Sequence, residues 1–456
     1  MAGPQFTSLA QNRLEPRELK CSQGHSSPHA MKTRFAFGKH GIDVSIPDEF
    51  ECHVVMSHTA RAVPDAAAAL DRALDQPIDC EPLAKLAQGK RTAAISVCDI
   101  TRPAPNRVTL PPLLKRLHAA GIPKDGITIL IATGLHRAAT KDELDVILGP
   151  EIAASYRVAS HDARDISSHR SLGATRRGTP VYIDERFMAA DLHITLGFVE
   201  PHLMLGFSGG RKLVVPGLAA QETIKVIHSP RFNREPLVTE GSIEGNPLHA
   251  EFLEIAAMAR HDFILDVTLT REREISGVFA GNPVKAHAAA VKFYEATSLE
   301  SLDNLADAAI TSSAGFPLDM TFYQCQKGLT AAKHIVKPGG PILLVSECAE
   351  GIGSVEFAAL LRNYPGHAEF LESIRDAKVV IDQWQLEKLA LVGVEHEVLF
   401  YTPGAPMEAL GSLRATAFTN LDEAVAALVS RLPRGARVAL VPEGPYTYAR
   451  PAAVYA

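Results

Sequence analysis

The sequence contains few cysteines, and none of them lies in a pattern that holds a metal ion or builds a disulfide framework. The chain has 456 residues, and its six cysteines are Cys21, Cys52, Cys80, Cys98, Cys325 and Cys348. No two of them form a CxxC pair, which argues against a disulfide scaffold and against a classical zinc site. We therefore expect the protein to work in a reducing, cytoplasmic setting.

Long apolar runs and a surplus of basic residues are also lacking. No apolar run approaches the roughly 20 residues that a membrane-spanning helix needs, and the first residues lack a signal-peptide pattern. A formal net charge of -6 provides no basic surface of the kind that nucleic acid requires. We therefore expect neither a membrane nor a nucleic acid as a partner.

The chain is long enough for two hydrophobic cores. At 456 residues it exceeds one ordinary domain. Residues 1–30 are polar and lack periodicity, so we expect a disordered arm there, with the fold beginning near Met31. We predict an N-terminal domain over residues 31–298 and a C-terminal domain over 299–435. Residues 436–456 are predicted to form a terminal strand. This strand can return to the sheet of the N-terminal domain or pair with the sheet of the C-terminal domain.

Apolar β-branched runs alternate with helical stretches in both predicted domains. This rhythm is typical of an α/β fold with two Rossmann-like domains and mostly parallel sheets. A capping box at Thr140 and Glu143 marks one helix start. The predicted strands cover 91–99, 127–134, 190–199 and 341–348, and the predicted helices include 106–121 and 320–336.

Polar groups follow three of these strands. The first strand is followed by DITRP, with Asp99, Thr101 and Arg102, and the second by TGLHR, with His136. The third leads into PHLMLGFSGGRKLVVPG, which begins with Pro201. Ligand sites in parallel sheets lie beyond the carboxyl ends of the strands, so we expect these groups at one edge.

The FSGGRK loop has two interpretations. Ser208, Gly209 and Gly210 can expose successive backbone N–H groups as an anion cradle, while Arg211 and Lys212 add positive charge. The helix that follows favours anions at its N-terminus. The alternative is a tight turn with a surface lysine. The loop does not match GxxxxGK[ST], so a nucleoside-triphosphate loop is not supported.

Three histidines are candidates for chemistry. His136 and His202 lie at predicted strand ends, where imidazole could give and take a proton near neutral pH. His228 ends the helix after Lys212 and could be a ligand for nickel, copper or zinc, or a helix C-terminal cap. Single histidines are more often structural, and that alternative stays open for each of them.

Other candidates also have ordinary explanations. Arg102 could bind a carboxylate or phosphate, or it could pair with Asp99 across the turn. Gln324 and Lys327 lie one helical turn apart and could form a binding face or a solvated one. The only tryptophan, Trp384, could simply pack in the core.

Taken together, these motifs resemble the lactate racemase family of nickel-dependent 2-hydroxyacid racemases and epimerases. The resemblance runs from about Asp99 to Trp384. It rests on DITRP, TGLHR, the long PHLMLGFSGGRKLVVPG segment, the IHS histidine, YQCQK, and the spacing of His202, Lys212 and His228.

The resemblance implies a cofactor and a set of roles. The cofactor is a nickel-pincer nucleotide, the pyridinium-3-thioamide-5-thiocarboxylic acid mononucleotide, supplied by its own biosynthesis enzymes. Lys212 would bind it covalently, His228 would be the protein ligand of nickel, and His136 and His202 would be the paired acid/base residues. The N-terminal domain would bind the cofactor and the C-terminal domain would contact the substrate, with an active-site cleft between them. Further cofactor contacts would come from Asp99, Thr101, Arg102, Ser208, Gly209 and Gly210, and substrate contacts from Arg102, Tyr323, Gln324, Lys327 and Trp384.

The implied activity is racemisation or epimerisation of a small-molecule 2-hydroxy acid. It would proceed by proton-coupled hydride transfer to the cofactor, through a 2-keto acid. Two alternatives remain at this point, a phosphate-binding transferase without nickel and a non-catalytic cofactor-binding protein. The second would be favoured by loss of an acid/base histidine, but both His136 and His202 are present.

Overall fold

The structure is a computed structural model that describes residues 30–452. The predicted arm over residues 1–30 lies, apart from Ala30, outside this range. Contacts divide the described chain into two compact units. The first unit comprises residues 59–228 and 237–298, and the second comprises residues 30–58, 229–236 and 299–452. No helix within the described residues is long and apolar enough to cross a membrane.

The described chain contains twenty strands and fifteen α-helices, named here in chain order. The strands are β1 Ala30–Phe35, β2 Ile42–Pro47, β3 Glu51–Val54, β4 Ala93–Cys98, β5 Ile127–Ala132, β6 Arg157–Ser160, β7 His169–Ala174, β8 Pro180–Asp184, β9 Leu192–Phe198, β10 Pro201–His202, β11 Gly206–Phe207, β12 Phe263–Leu269, β13 Ile275–Gly281, β14 Glu300–Leu302, β15 Ala308–Ser312, β16 Ile342–Val345, β17 Val398–Tyr401, β18 Ala417–Phe418, β19 Arg437–Val441 and β20 Ala449–Pro451. The helices are α1 Ala66–Asp75, α2 Leu83–Leu86, α3 Asn106–Ala119, α4 Lys141–Leu148, α5 Pro150–Ser155, α6 Glu185–Met188, α7 Gln221–Ile227, α8 Pro230–Asn233, α9 Pro247–Met258, α10 Pro283–Ser298, α11 Gln326–Lys333, α12 Val355–Arg362, α13 His367–Ser373, α14 Gln383–Gly393 and α15 Leu421–Val429.

The first unit is built on a six-stranded sheet with the order β13-β12-β9-β4-β5-β6. Its strands are parallel except for β13, which runs antiparallel to β12. All seven residues of β9 are buried, as expected for a strand covered on both faces. Leucines of α1 and α3 pack with Val97, Ile129 and Ile194 in one apolar core. The predicted capping box is confirmed, because Thr140 and Glu143 exchange both hydrogen bonds at the start of α4.

The second unit contains a fully parallel six-stranded sheet with the order β18-β17-β16-β15-β19-β3. The apolar faces of the β1–β2 hairpin pack in a core with β15, β16, β19 and α15. The predicted α/β class with mostly parallel sheets is confirmed in both units.

Two sequence expectations differ from the structure in this unit, and one that left two pairings open is decided by it. The predicted first domain began at residue 31, but residues 30–58 belong to the second unit, because Phe35, Val44 and Ile46 are buried there. The terminal strand β19 lies between β15 and β3, so it pairs within the second unit rather than returning to the first. The single helix predicted over 320–336 is instead a short 3₁₀ turn over Phe322–Gln324 followed by α11.

Candidate functional site

Three parallel neighbours of the first sheet, β5, β4 and β9, bring the predicted polar groups to one edge. Asp99 directly follows β4, His136 follows β5 by four residues, and Glu200 follows β9 by two. Parallel pairing places the carboxyl ends of these strands side by side, which is where α/β proteins bind ligands.

Asp99 holds His136 through a short hydrogen bond. The His136 Nδ1 and Asp99 Oδ2 atoms are 2.7 Å apart, and the Thr101 hydroxyl donates to Asp99 Oδ1 at 2.6 Å. Burial raises the pKa of the Asp99 carboxyl, but its hydrogen bonds with His136 and Thr101 and the nearby charges of His136 and Arg102 outweigh burial and bring the pKa below its ordinary value. Asp99 is therefore an ionised partner of His136, and the His136 side chain is half exposed.

Arg102 does not pair with Asp99, which corrects one interpretation of the sequence. Its guanidinium donates to the Glu200 carboxylate at 3.2 Å. Sequence reasoning overlooked Glu200, whose only signal was its position directly after the third predicted strand.

The side chain of Ser208 is engaged inside the fold. Its hydroxyl donates to the Phe198 carbonyl at 2.8 Å and accepts the Glu200 N–H at 3.0 Å. These bonds hold the returning chain against the end of β9. Any anion contact in this loop is therefore made by the backbone rather than by the hydroxyl.

Both glycines of the loop adopt left-handed backbone conformations. Gly209 has a φ of +83°, and a Cβ added there would lie 2.6 Å from Asp266 Oδ2. Gly210 has a φ of +47°. Asp266 itself is fully buried, and burial raises its pKa to about 7 against the opposing effect of Arg211. Close packing on Asp266 thus requires glycine independently of any ligand.

Arg211 is an internal brace, which corrects its interpretation as a charge offered to an anion. The side chain is 1% exposed and donates to the carbonyls of Leu205 and Phe207 at 3.1 and 2.9 Å. It also contacts His287 Nε2 at 2.6 Å. Burial lowers the pKa of Arg211 to about 9.

Lys212 differs from an ordinary surface lysine. Burial, reinforced by the nearby Arg102, lowers the pKa of its ammonium group to about 7, while Glu200 and Cys98 oppose the shift. A large fraction of Lys212 is therefore unprotonated near neutral pH. An unprotonated amine is a nucleophile and can form a covalent bond with a carbonyl or thiocarbonyl carbon.

His228 directly follows α7, and its ring is oriented by that helix. Its Nδ1 donates to the Ile224 carbonyl at 2.8 Å, which leaves the lone pair of the neutral imidazole on Nε2. Burial, with a further contribution from Lys212, lowers the pKa of His228 to about 4. This is the state in which histidine binds a metal ion, with the other nitrogen donating to a carbonyl.

His202 lies in the short β10–β11 hairpin. Its Nδ1 accepts the backbone N–H groups of Met204 and Leu205 at 3.3 and 3.2 Å. The two candidate acid/base histidines are thus held by different kinds of partner, a carboxylate for His136 and backbone amides for His202.

Apart from Arg102, the predicted substrate residues lie in the second unit. The Tyr323 hydroxyl donates to Asp382 at 3.2 Å, and burial followed by the Asp382 charge raises the Tyr323 pKa. Gln324 ends the 3₁₀ turn, and its side-chain oxygen is buried without a hydrogen-bond partner in the described structure. Lys327 lies in α11, and Trp384, which is 6% exposed, follows Asp382 by two residues. The sequence did not point to Asp382.

Residues 30–452 contain no group of three or more His, Cys, Asp or Glu side chains arranged to hold a metal ion.

Two models of one protein family match this chain, one in each half. The family model described as "Lactate racemase N-terminal domain" matches residues 37–239, and "Lactate racemase C-terminal domain" matches residues 302–446. A lactate racemase of Lactiplantibacillus plantarum is 34% identical over 379 residues, which are 82% of this chain and 89% of that protein. A lactate racemase of Thermoanaerobacterium thermosaccharolyticum is 33% identical over 377 residues, 82% of this chain and 88% of that protein.

Solved structures give the same result. The lactate racemase apoprotein of Thermoanaerobacterium thermosaccharolyticum superimposes with a TM-score of 0.84 at 30% identity, covering 92% of this chain and all of that one. A Thermotoga maritima protein matches with a TM-score of 0.63 at 16% identity, covering 84% of this chain and 98% of that one, which is a likeness of fold alone.

Proposed function

Because this chain belongs to the lactate racemase family, and is therefore an isomerase of the racemase type, we propose that it racemises or epimerises a small-molecule 2-hydroxy acid with the aid of a nickel-pincer nucleotide. The main supporting observation is the combination, at one sheet edge, of the Asp99–His136 pair with a lysine of lowered pKa at Lys212. The Asp99–His136 pair provides a proton acceptor, and Lys212 provides a covalent anchor for the cofactor.

The residues present fit the proposed cofactor. A thioamide link requires an unprotonated amine, and burial gives Lys212 that character. A nickel ligand requires a neutral imidazole, and His228 is neutral with its lone pair on Nε2. Lys212 also contributes to the lowered pKa of His228, which supports a role for both groups in one site. A metal held mainly by an organic cofactor needs only one such histidine.

When bound, the cofactor supplies an acceptor for the hydrogen of the second carbon as a hydride, so that the reaction passes through a 2-keto acid. His136 takes the hydroxyl proton at Nε2, and the Asp99 carboxylate stabilises the imidazolium that results. His202 is proposed to form a second hydrogen bond with the substrate oxygen. Thr101 holds Asp99 and Glu200 holds Arg102, so the charged groups of the site are positioned before substrate arrives.

Arg102, with Tyr323, Gln324, Lys327 and Trp384 of the second unit, is proposed to bind the substrate. The buried oxygen of Gln324 is suited to accept a hydrogen bond from a substrate hydroxyl. Gly209 and Gly210 are proposed to contact the cofactor phosphate through backbone N–H groups. The Ser208 N–H donates to the Glu200 carbonyl at 2.9 Å, so Ser208 is proposed to hold this loop in place rather than to bind the phosphate directly. The enzymes that make the cofactor are the proposed biological partners.

The two other candidate functions are less well supported. A phosphate-binding transferase gains little from Arg211 and the Ser208 hydroxyl, because both are used inside the fold. A non-catalytic binding protein would have no need for an ionised aspartate held against a half-exposed histidine.

The proposal is tested by producing the protein together with the cofactor-synthesis enzymes. Intact mass should show a covalent adduct, peptide mapping should place it on Lys212, and metal analysis should give about one nickel per chain. Lys212→Ala should lose the adduct, whereas Lys141→Ala, a change of an exposed lysine in α4, should keep it. His228→Ala should lower the nickel content, while His136→Gln and His202→Gln should keep nickel and lose racemisation of lactate and other 2-hydroxy acids by roughly 10²-fold or more.

Absence of an adduct on the wild-type protein, in cells where a known lactate racemase does acquire one, would contradict the proposal. Nickel loss in His136→Gln as severe as in His228→Ala would show that the roles of the histidines are wrongly assigned.

A further inference from the structure

The hydrogen bonds around His136 and His202 assign opposite proton positions to the two rings. A neutral imidazole carries its proton on one nitrogen and a lone pair on the other, and the neighbours of one nitrogen decide which. Both rings are contacted at Nδ1, so the state of Nε2 follows from the chemistry of the contact.

His136 faces an acceptor. An ionised carboxylate can only accept hydrogen bonds, and contacts with His136 and Thr101 keep Asp99 ionised. The proton of the neutral His136 ring therefore lies on Nδ1, and the lone pair lies on Nε2.

His202 faces two donors. Backbone N–H groups can only donate, and those of Met204 and Leu205 both approach Nδ1. The lone pair of His202 therefore lies on Nδ1, and its proton lies on Nε2. The β10–β11 pairing of His202 with Gly206 fixes the hairpin that provides these amides.

We propose that the two histidines enter the reaction in different states, His136 as the proton acceptor and His202 as a hydrogen-bond donor, and that Asp99 is the positioning residue that sets this difference. Their encounter with a substrate hydroxyl rests on the proposed function; the proton positions themselves do not. A neutral imidazole that donates from Nε2 can polarise a substrate oxygen without first becoming an imidazolium. The proton that His136 takes from the substrate hydroxyl returns from its Nε2 to the product oxygen, so His202 stays neutral throughout.

The surroundings of Asp99 determine what an asparagine would do there. Its Oδ1 accepts both the N–H and the hydroxyl of Thr101, at 3.2 and 2.6 Å, while Oδ2 meets His136. In Asp99→Asn the amide oxygen must stay with the two Thr101 donors, so the amide NH₂ faces His136 Nδ1. A donor at that position moves the His136 proton to Nε2 and removes its acceptor.

The test is ¹⁵N–¹H correlation spectroscopy of histidine side chains in ¹⁵N-histidine-labelled protein without cofactor, near pH 8, where imidazoles are mostly neutral. Signals are assigned by their loss in His136→Gln and His202→Gln. The inference predicts an Nδ1–H pattern for His136 and an Nε2–H pattern for His202. The same tautomer at both positions, or the reverse assignment, would overturn it.

Asp99→Asn should convert His136 to the Nε2–H pattern and leave His202 unchanged. Asp262→Asn is the matched control, because Asp262 contacts His193 Nδ1 at 2.9 Å and should leave the His136 signal in place. In loaded enzyme, Asp99→Asn should lower kcat by about 10²- to 10⁴-fold with bound nickel retained. An Nδ1–H signal for His136 in Asp99→Asn would overturn the positioning role of Asp99.

The two proposals fail in different ways. If the tautomers are as predicted but the loaded protein racemises no 2-hydroxy acid, the proposed function is wrong and the proton positions stand. If the loaded protein racemises but the tautomers are equal, the asymmetry alone is wrong.

Discussion

At the scale of single residues, burial lowers the pKa of several basic groups in the first unit. Arg211 and Lys212 are adjacent and both basic, yet their surroundings in the fold differ. The Arg211 guanidinium donates hydrogen bonds to carbonyl groups of its own loop. The Lys212 ammonium group instead has a pKa of about 7. Burial likewise keeps His228 neutral. The surroundings thus make Arg211 an internal brace and give Lys212 and His228 lowered pKa values, which is the property that their proposed roles require.

The lowered pKa of Lys212 predicts an unusual pH dependence of its reactivity. A lysine whose folded pKa lies below its unfolded value loses its proton at lower pH when folded. Trace acetylation of Lys212 in protein without cofactor should therefore reach half its maximum near pH 7. The same peptide in urea-unfolded protein should titrate near the ordinary value of about 10.4. Peptide mass spectrometry measures both, and coincident curves would show that burial does not depress this pKa.

At the scale of elements, the loop after β9 is held by packing on Asp266. Gly209 combines a positive φ with a close approach to that carboxylate, so two separate requirements select glycine. The pairing of Ser208 with the end of β9, and the hydrogen bonds of Arg211, fix the same loop from either side. The position of Lys212 therefore depends on the loop as a whole.

Gly209→Ala tests this dependence. Gly209 has a φ of 83° and a ψ of 177°, a region that essentially only glycine adopts; another residue there costs of order 1–3 kcal/mol, and the contact with Asp266 should add to that loss. Gly173→Ala is the matched control, since Gly173 has a φ of +88° but no atom within 4 Å of an added Cβ. Urea unfolding should show a larger fall in the free energy of unfolding for Gly209→Ala than for Gly173→Ala. Equal losses would mean that the Asp266 contact contributes nothing.

At the scale of the whole molecule, the sequence predicted the fold class and the sheet edge at which the polar motifs meet, but not every boundary or side-chain partner. Strand periodicity and the polar motifs after β4, β5 and β9 were sufficient, because parallel strands align their carboxyl ends. Pairing between distant parts of the chain could not be predicted, so the placement of β3 beside β19 was missed. Neither the inward turn of Arg211 nor the partners Glu200 and Asp382 could be predicted, because they depend on three-dimensional packing.

We propose that this chain racemises a 2-hydroxy acid by transferring the hydrogen on the second carbon as a hydride. The most direct measurement uses loaded enzyme and a substrate deuterated at that carbon, in ordinary water, with the product examined by NMR or mass spectrometry. The deuterated substrate should react more slowly in both directions, and the deuterium should stay largely in the product, because a transferred hydride does not exchange with water. Complete replacement of the deuterium by solvent hydrogen would contradict the account, since a proton taken by an imidazole does exchange with water.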